Sequence, residues 1–247
     1  MSELALKVAS QNGHTQINHC YFTSPLKLAK PFYREDGYTE AMVLVAGPGM
    51  LKGDSYEMEF EAGKDTRIMI TAQSYQKLYN TAGGKTTQNV RIKVADGSSF
   101  AYIPQPVIPF NKNTFTSNME VELEEGSKLF LADILSCGRQ GMGERYLFSG
   151  FSSRLQVNVA GRPMFLDNTR LLPGQVDFDS LGFFEGSLCQ GLIYLYGYGN
   201  IGLPRCENLQ ASASKARGGQ TVRILAGSAD NAHKYCLELW ERLKETR

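Results

Sequence analysis

Apolar and polar residues alternate with a period of two along much of this chain. Tyr56, Met58 and Phe60 alternate with Glu57, Glu59 and Glu61. Val90, Ile92 and Val94 alternate with Arg91 and Lys93, and Met119, Val121 and Leu123 with Glu120, Glu122 and Glu124. Successive side chains of a strand point to opposite faces, so each run predicts a strand with one buried face and one wet face. Further strands are expected at residues 4–9, 15–21, 41–46, 66–71, 129–135, 154–159, 164–167, 192–196 and 221–226.

Three strand–turn–strand units look alike. Glu61-Ala62-Gly63 leads into Arg67-Ile68-Met69-Ile70, Ala95-Asp96-Gly97 into Ser99-Phe100-Ala101-Tyr102, and Glu124-Glu125-Gly126 into Lys128-Leu129-Phe130-Leu131. Their turn glycines recur about every 30 residues, a spacing that suits stacked, repeated β-units. A plain antiparallel meander with glycine turns fits the same pattern, so the pattern alone leaves both open.

Helix signals are few. Residues 74–80 are expected to form a helical turn or two. At the C-terminus Ser228 suits an N-cap, and Ala232, Tyr235, Cys236, Leu239, Trp240 and Leu243 fall at i, i+3, i+4, i+7, i+8 and i+11. That spacing predicts an amphipathic helix with Lys234, Glu238, Glu241 and Arg242 outside its apolar face. The Ala-, Ser- and Gly-rich stretch 210–219 is expected to be a loop. The 247 residues show no linker, so a single domain over 1–247 is expected.

Composition narrows the function classes. Hydrophobic residues at 42% and charged residues at 21% exclude a mostly disordered chain. Lys+Arg number 26 and Asp+Glu 25, a net charge of +1, which lacks the bulk field of a nucleic-acid binder or a polybasic membrane protein. No apolar run approaches the roughly 20 residues that cross a bilayer, and the first residues, Met1-Ser2-Glu3-Leu4, lack a signal-peptide pattern. Five scattered cysteines, with no C-x-x-C pair, suit a cytoplasmic protein with reduced thiols rather than a structural zinc site.

Two glycine motifs fall short of nucleotide sites. Gly197-Tyr198-Gly199-Asn200-Ile201-Gly202 fits G-x-G-x-x-G after an apolar strand, but Leu203-Pro204-Arg205-Cys206 opens no helix and no acid follows at the ribose-binding distance. Gly83-Gly84-Lys85-Thr86 resembles the end of a P-loop, yet Tyr79 stands where the first glycine belongs and a strand pattern follows. Both are expected to be turns. His14, His19 and His233 form no metal-binding spacing, and no G-x-S-x-G elbow supports a serine nucleophile.

Four ordered segments carry a family likeness: Gly47-Pro48-Gly49-Met50-Leu51-Lys52-Gly53-Asp54, the Thr71…Lys77-Leu78-Tyr79 stretch, Ile103-Pro104 through Ile108-Pro109-Phe110, and Gly138-Arg139 followed by Gly143-Glu144. Together they resemble the UreD (UreH) family of urease accessory proteins over essentially the whole chain. Ala101 replaces a usual acid, and Pro48 and Lys52 stand where many members have glycine. The resemblance implies a mostly β, two-layer, β-helix-like domain with a few helices. It implies no catalysis and no permanently bound cofactor. It also implies assembly with UreF, the GTPase UreG and apo-urease, with nickel(II) in transit to the urease site.

The resemblance places a polar nickel passage on Asp54, Asp133 and Asp167, and Glu144 is a further candidate. Carboxylate oxygens hold nickel(II) more weakly than imidazole or thiolate, which suits passage better than storage. Each position also has a fold-level reading. Asp54 after Gly53 could bond its own backbone in a turn, Glu144 could pair with Arg139, and Asp133 sits among Leu131, Ile134 and Leu135, where a buried carboxylate needs a partner. An alternative class is a β-solenoid carbohydrate-active enzyme with Asp54 and Glu144 as its acid and base.

Overall fold

The computed structural model describes residues 1–199 and 201–244. Its strands in chain order are β1 (Ser2–Gln11), β2 (His14–Phe22), β3 (Leu26–Leu28), β4 (Phe32–Tyr33), β5 (Thr39–Val45), β6 (Ser55–Ala62), β7 (Arg67–Ala72), β8 (Gln76–Leu78) and β9 (Thr86–Val94). There follow β10 (Ser99–Ile103), β11 (Val107–Pro109), β12 (Thr114–Leu123), β13 (Lys128–Ser136), β14 (Gly150–Val159), β15 (Arg162–Leu171), β16 (Cys189–Tyr196), β17 (Leu209–Ala216) and β18 (Gly219–Ala226). A short 3-10 turn covers Gln140–Met142, and the helix α1 spans Ala229–Leu243.

Two sheets face each other. The first has the order β15-β14-β12-β9-β6-β1-β2, and the second runs β17-β18-β16-β13-β10-β7-β5-β3. From β6 to β14 the long strands alternate between the sheets, with the short β8 and β11 continuing the second sheet after β7 and β10, and each new long strand lies parallel to its predecessor in the same sheet. This is a β-solenoid. Consecutive strands of the coils do not pair with each other, and pairing is parallel between one coil and the next, which rules out the meander. Ile68 lies beside Phe100, and Phe100 beside Leu129, so successive coils stack in register at the spacing of the glycine turns. Antiparallel strands close both ends: β2 on β1, β15 on β14, and β16 on β13.

The recurring turns explain their residues. Thr66, Ser98 and Ser127 are buried at equivalent corners. Ser98 Oγ accepts from Thr66 N–H at 3.1 Å and donates to Gly63 O at 2.5 Å, while Ser127 Oγ donates to Glu124 O at 2.6 Å. These hydroxyls satisfy backbone groups that the tight corner would leave unpaired. The glycines are required by the neighbouring coil. A Cβ on Gly97 would lie 2.2 Å from Asp65 Oδ1, and one on Gly126 would lie 2.0 Å from Asp96 Oδ1. Each turn's aspartate therefore rests on the next turn's glycine.

Between the sheets lies the main core. Leu6, Phe60, Ile92, Val121 and Val157 from the first sheet meet Ile70, Phe100, Tyr102, Leu129 and Leu131 from the second. The first sheet's outer face is polar, with Lys7 paired to Glu61 and Lys93 to Glu59. The second sheet's outer face is apolar and covered by α1, where Tyr235, Cys236, Leu239 and Trp240 pack on Phe130, Ile134, Ile193 and Val222. Trp240 meets the rings of Tyr38 and Phe130 edge-on at 5.1 and 5.4 Å. Ser228 Oγ caps the helix by accepting from Asn231 N–H. Below its last turn, Lys244 pairs with Asp36 and Glu241, and Arg34 with Asp36 and Glu241. No helix among the described residues is long and apolar enough to cross a membrane.

Two expectations are corrected. Residues 74–80 form no helical turn; they hold β8, which pairs in parallel with β11. The coil geometry lines these segments up, and that tertiary pairing overrides local helix preference. Residues 210–219 are no loop but most of β17 and the turn into β18, with Gly218 at a positive φ of 72°. Both faces of β17 are largely exposed, so no apolar alternation marks it. The two glycine motifs do fall in non-helical segments: Gly84 N–H bonds Thr81 O in a turn before β9, and no helix follows Gly197. Asn200 of the second motif lies outside the described residues.

Candidate functional site

Beyond β13 and β14 the coiling stops, and the facing sheets no longer fill the space between them. A cavity of about 630 Å³ opens there. β13 carries Asp133 toward it, because Leu129, Leu131, Asp133 and Leu135 share the strand face that looks at the first sheet, while Phe130, Ala132 and Ile134 look at α1. In register across the second sheet, Asp133 lies beside Leu192 and Leu192 beside Arg223. Opposite them, β14 and β15 place Ser153 beside Thr169 and Leu155 beside Asp167. Asp133, Gln190 and Arg223 from one sheet and Ser153, Asp167 and Thr169 from the other therefore line one cavity, with Glu185 from the loop between β15 and β16 also lining it.

Ser153 Oγ donates to Asp133 Oδ2 at 3.3 Å. Thr169 Oγ1 donates to Asp167 Oδ2 at 3.1 Å, and Arg223 Nη2 donates to Asp167 Oδ1. Burial pushes the Asp133 carboxyl up to about 6, and the neighbouring Asp167 charge adds to the rise. The Ser153 hydrogen bond and the Arg223 charge act the other way without cancelling it. An ionised carboxylate in a partly dry site loses hydration that one hydroxyl does not replace. Its charge at neutral pH is therefore held at a cost, and a cation would relieve it.

The other two expected positions lie elsewhere. Asp54 Oδ2 accepts from Leu51 N–H at 2.7 Å, and Asp54 N–H donates to Leu51 O at 2.9 Å, closing a turn before β6. Glu144 receives two hydrogen bonds from Arg139, one of them from Nε at 2.8 Å, and a third from Asn111 N–H at 3.3 Å. The Arg139 hydrogen bond holds Glu144 below the usual carboxylate range against the opposing effect of burial. Arg139 also lies over the Phe110 ring at 4.3 Å. Neither Asp54 nor Glu144 lines the cavity, and each is satisfied by its own loop. The acid–base pair of the carbohydrate-enzyme reading is thus divided between two turns with separate partners. A second cavity of about 300 Å³, under the Gly47–Met50 stretch beside Tyr56 and Gln76, has no carboxylate in its lining.

The sequence patterns missed Arg223, Gln190 and Ser153. Arg223 alternates with Val222 and Ile224, a pattern that marks it as the wet face of a strand. Here that face looks into the cavity, and alternation cannot tell the two situations apart. None of the three histidines lines either cavity. The five cysteines are free. No group of three or more His, Cys, Asp or Glu that could hold a metal ion is found among the described residues.

A family model described as UreD urease accessory protein matches residues 1–247. Among similar proteins, a urease accessory protein UreD of Acetivibrio thermocellus is 35% identical over 240 residues, covering 93% of this chain and 92% of its own length. A urease accessory protein UreH of Helicobacter pylori is 32% identical over 186 residues, covering 75% of this chain and 70% of its own. A urease accessory protein UreD of Flavobacterium johnsoniae is 26% identical over 258 residues, covering 98% and 92%.

Proposed function

Since the chain belongs to the UreD family of urease accessory proteins, we propose that it is a non-catalytic scaffold of urease maturation, working in the cytoplasm with UreF, UreG and apo-urease, and that its cavity is a station on the path of nickel(II). Nickel here is cargo. The observation that carries this reading is the convergence of Asp133 and Asp167, from two different sheets, on one cavity whose lining contains no histidine or cysteine. Hard oxygen donors attract a divalent cation and let it go; imidazole and thiolate would retain it. The grouping of donors points the same way: Glu185 also lines the cavity but accepts from Gly182 N–H, and no three acidic, histidine or cysteine side chains come together among the described residues as a resident site would need. Asp54 and Glu144 would join the path only by giving up their present partners, Leu51 N–H and Arg139.

The scaffold part of the reading is tested by co-expression. The chain should co-purify with UreF and apo-urease, and its deletion should leave urease assembled but poor in nickel. A chain that ignores both partners in size-exclusion chromatography, or a deletion strain with fully nickel-loaded urease, contradicts it.

A further inference from the structure

Arg223 is the one cation in the cavity wall that is already seated on a carboxylate of the proposed path. It projects from β18 of the second sheet and binds Asp167 on β15 of the first, so its ion pair spans the cavity from sheet to sheet. Its side chain is 60% exposed, whereas that of Asp167 is 16% exposed. The acid is fixed in the wall, and the guanidinium reaches it from solvent. Arg170, the other arginine of the lining, is exposed and forms no ion pair among the described residues.

We infer that Arg223 is a displaceable latch on the cavity: its guanidinium occupies Asp167 when no metal is present, and an entering divalent cation must exchange with it. This presumes the nickel path proposed above and adds a control element to it. The physical grounds are three. First, a guanidinium and a divalent cation compete for the same carboxylate oxygens, and a unit positive charge at ion-pair distance opposes a second cation. Second, the guanidinium is 60% exposed and regains its hydration on leaving, so release needs less driving force than breaking a fully buried pair would. Third, a long flexible side chain rooted at the mouth can swing into water without moving either strand. Exchange at Asp167 would leave Asp133, which lines the same cavity, as the second oxygen ligand. The guanidinium then keeps the empty site from taking up monovalent ions or holding nickel too tightly, and limits residence time. It acts through Asp167 and is a positioning residue, not a ligand.

The test is calorimetric titration of nickel chloride into the full-length chain as wild type, Arg223→Met, Arg223→Lys and Arg223→Met/Asp167→Asn, with thermal unfolding of each alongside. Arg223→Met should bind nickel about ten times more tightly than wild type with an unfolding temperature no higher. Arg223→Lys, which keeps the charge, should stay near wild type, and the double variant should lose the gain. A purely structural Arg223 would lower stability and leave nickel affinity unchanged or weaker. Equal affinity in wild type and Arg223→Met overturns the latch and leaves the passage standing. No nickel uptake by any variant overturns both. Should Arg223→Met fail to fold, Arg223→Gln, which keeps the stem and a hydrogen-bonding end, carries the same expectation. Tighter binding by Arg223→Met combined with normal urease activation by Asp133→Ala/Asp167→Ala would sink the passage and with it the latch's role as a control on nickel delivery.

Discussion

The middle coils and the open end of the solenoid use the same strand positions for opposite purposes. In the coils, inward positions are filled by Phe60, Phe100, Tyr102 and Leu131, and the gap between sheets is closed. One row further on, the equivalent inward positions are Asp133, Leu192 and Arg223, and the gap is a cavity. The backbone pairing is continuous through both regions. What changes is side-chain volume and charge, so the site is made by leaving the core unfinished where the parallel coiling ends. The neighbouring coils supply the rigidity that holds two carboxylates of like charge near each other.

The contrast predicts opposite responses to mutation. The largest effects belong to the packed regions. Phe60→Ala should cost about 3–5 kcal/mol, and Leu239→Ala, under the helix, about 2–5 kcal/mol, as lost burial plus an unfilled cavity. Denaturant unfolding measures both. Leu239 and Trp240 are buried against the chain's own second sheet, so their truncation should lower stability first and partner binding only as a consequence. Near-normal unfolding with lost UreF binding would reverse that view.

Asp133 should behave the other way. Its folded pKa of about 6 lies above the unfolded value of about 3.9, so the folded state prefers the protonated form. Its contribution to stability is greatest below about pH 4 and declines as pH rises to about 6. Asp133→Asn should therefore gain about 2–3 kcal/mol at pH 8, with the gain vanishing near pH 4. Denaturant midpoints at the two pH values test this, and a variant less stable at pH 8 would mean that the carboxylate supports the fold.

A smaller effect is expected at the coil corners. Gly97→Ala must displace the Asp65 carboxylate and adopt a positive φ of 72°. It should cost about 1–2 kcal/mol with nickel handling intact. Smallest is the C-terminal clip. Burial of Asp36 opposes its charge, but the hydrogen bonds from Lys244 and Tyr38 N–H and the Arg34 charge outweigh it and hold its pKa down. Its stabilisation is present above about pH 4 and is lost as pH falls through the depressed value. Asp36→Asn should cost under about 1 kcal/mol at pH 7 and nothing in acid, the reverse of Asp133.

The same contrast explains which parts the sequence disclosed. β6, β9 and β12 are legible because one face is wet, so apolar and charged residues alternate. β10 is buried on both faces and shows no alternation; it was found through its glycine turn. β17 is exposed on both faces, so its sequence carries no strand alternation and reads as a loop. The hydroxyls at Thr66, Ser98 and Ser127 recur with the coils and would have aligned the repeats more tightly than the glycines did. At the site, Asp133 stood out as a charge in an apolar run. Asp167 came only from the family likeness, and Arg223 was hidden, because alternation does not say which face points inward. The fold-level readings of Asp54 as a turn residue and of Glu144 as the partner of Arg139 match the contacts these residues make.

The most direct measurement is the nickel content of urease matured with the Asp133→Ala/Asp167→Ala chain, after confirming that the variant still assembles with UreF and apo-urease. The account predicts an intact complex and urease with several-fold less nickel than the wild-type chain delivers, while Asp54→Ala, outside the cavity, delivers closer to the normal amount. Full nickel loading by the double variant in an intact complex would contradict it.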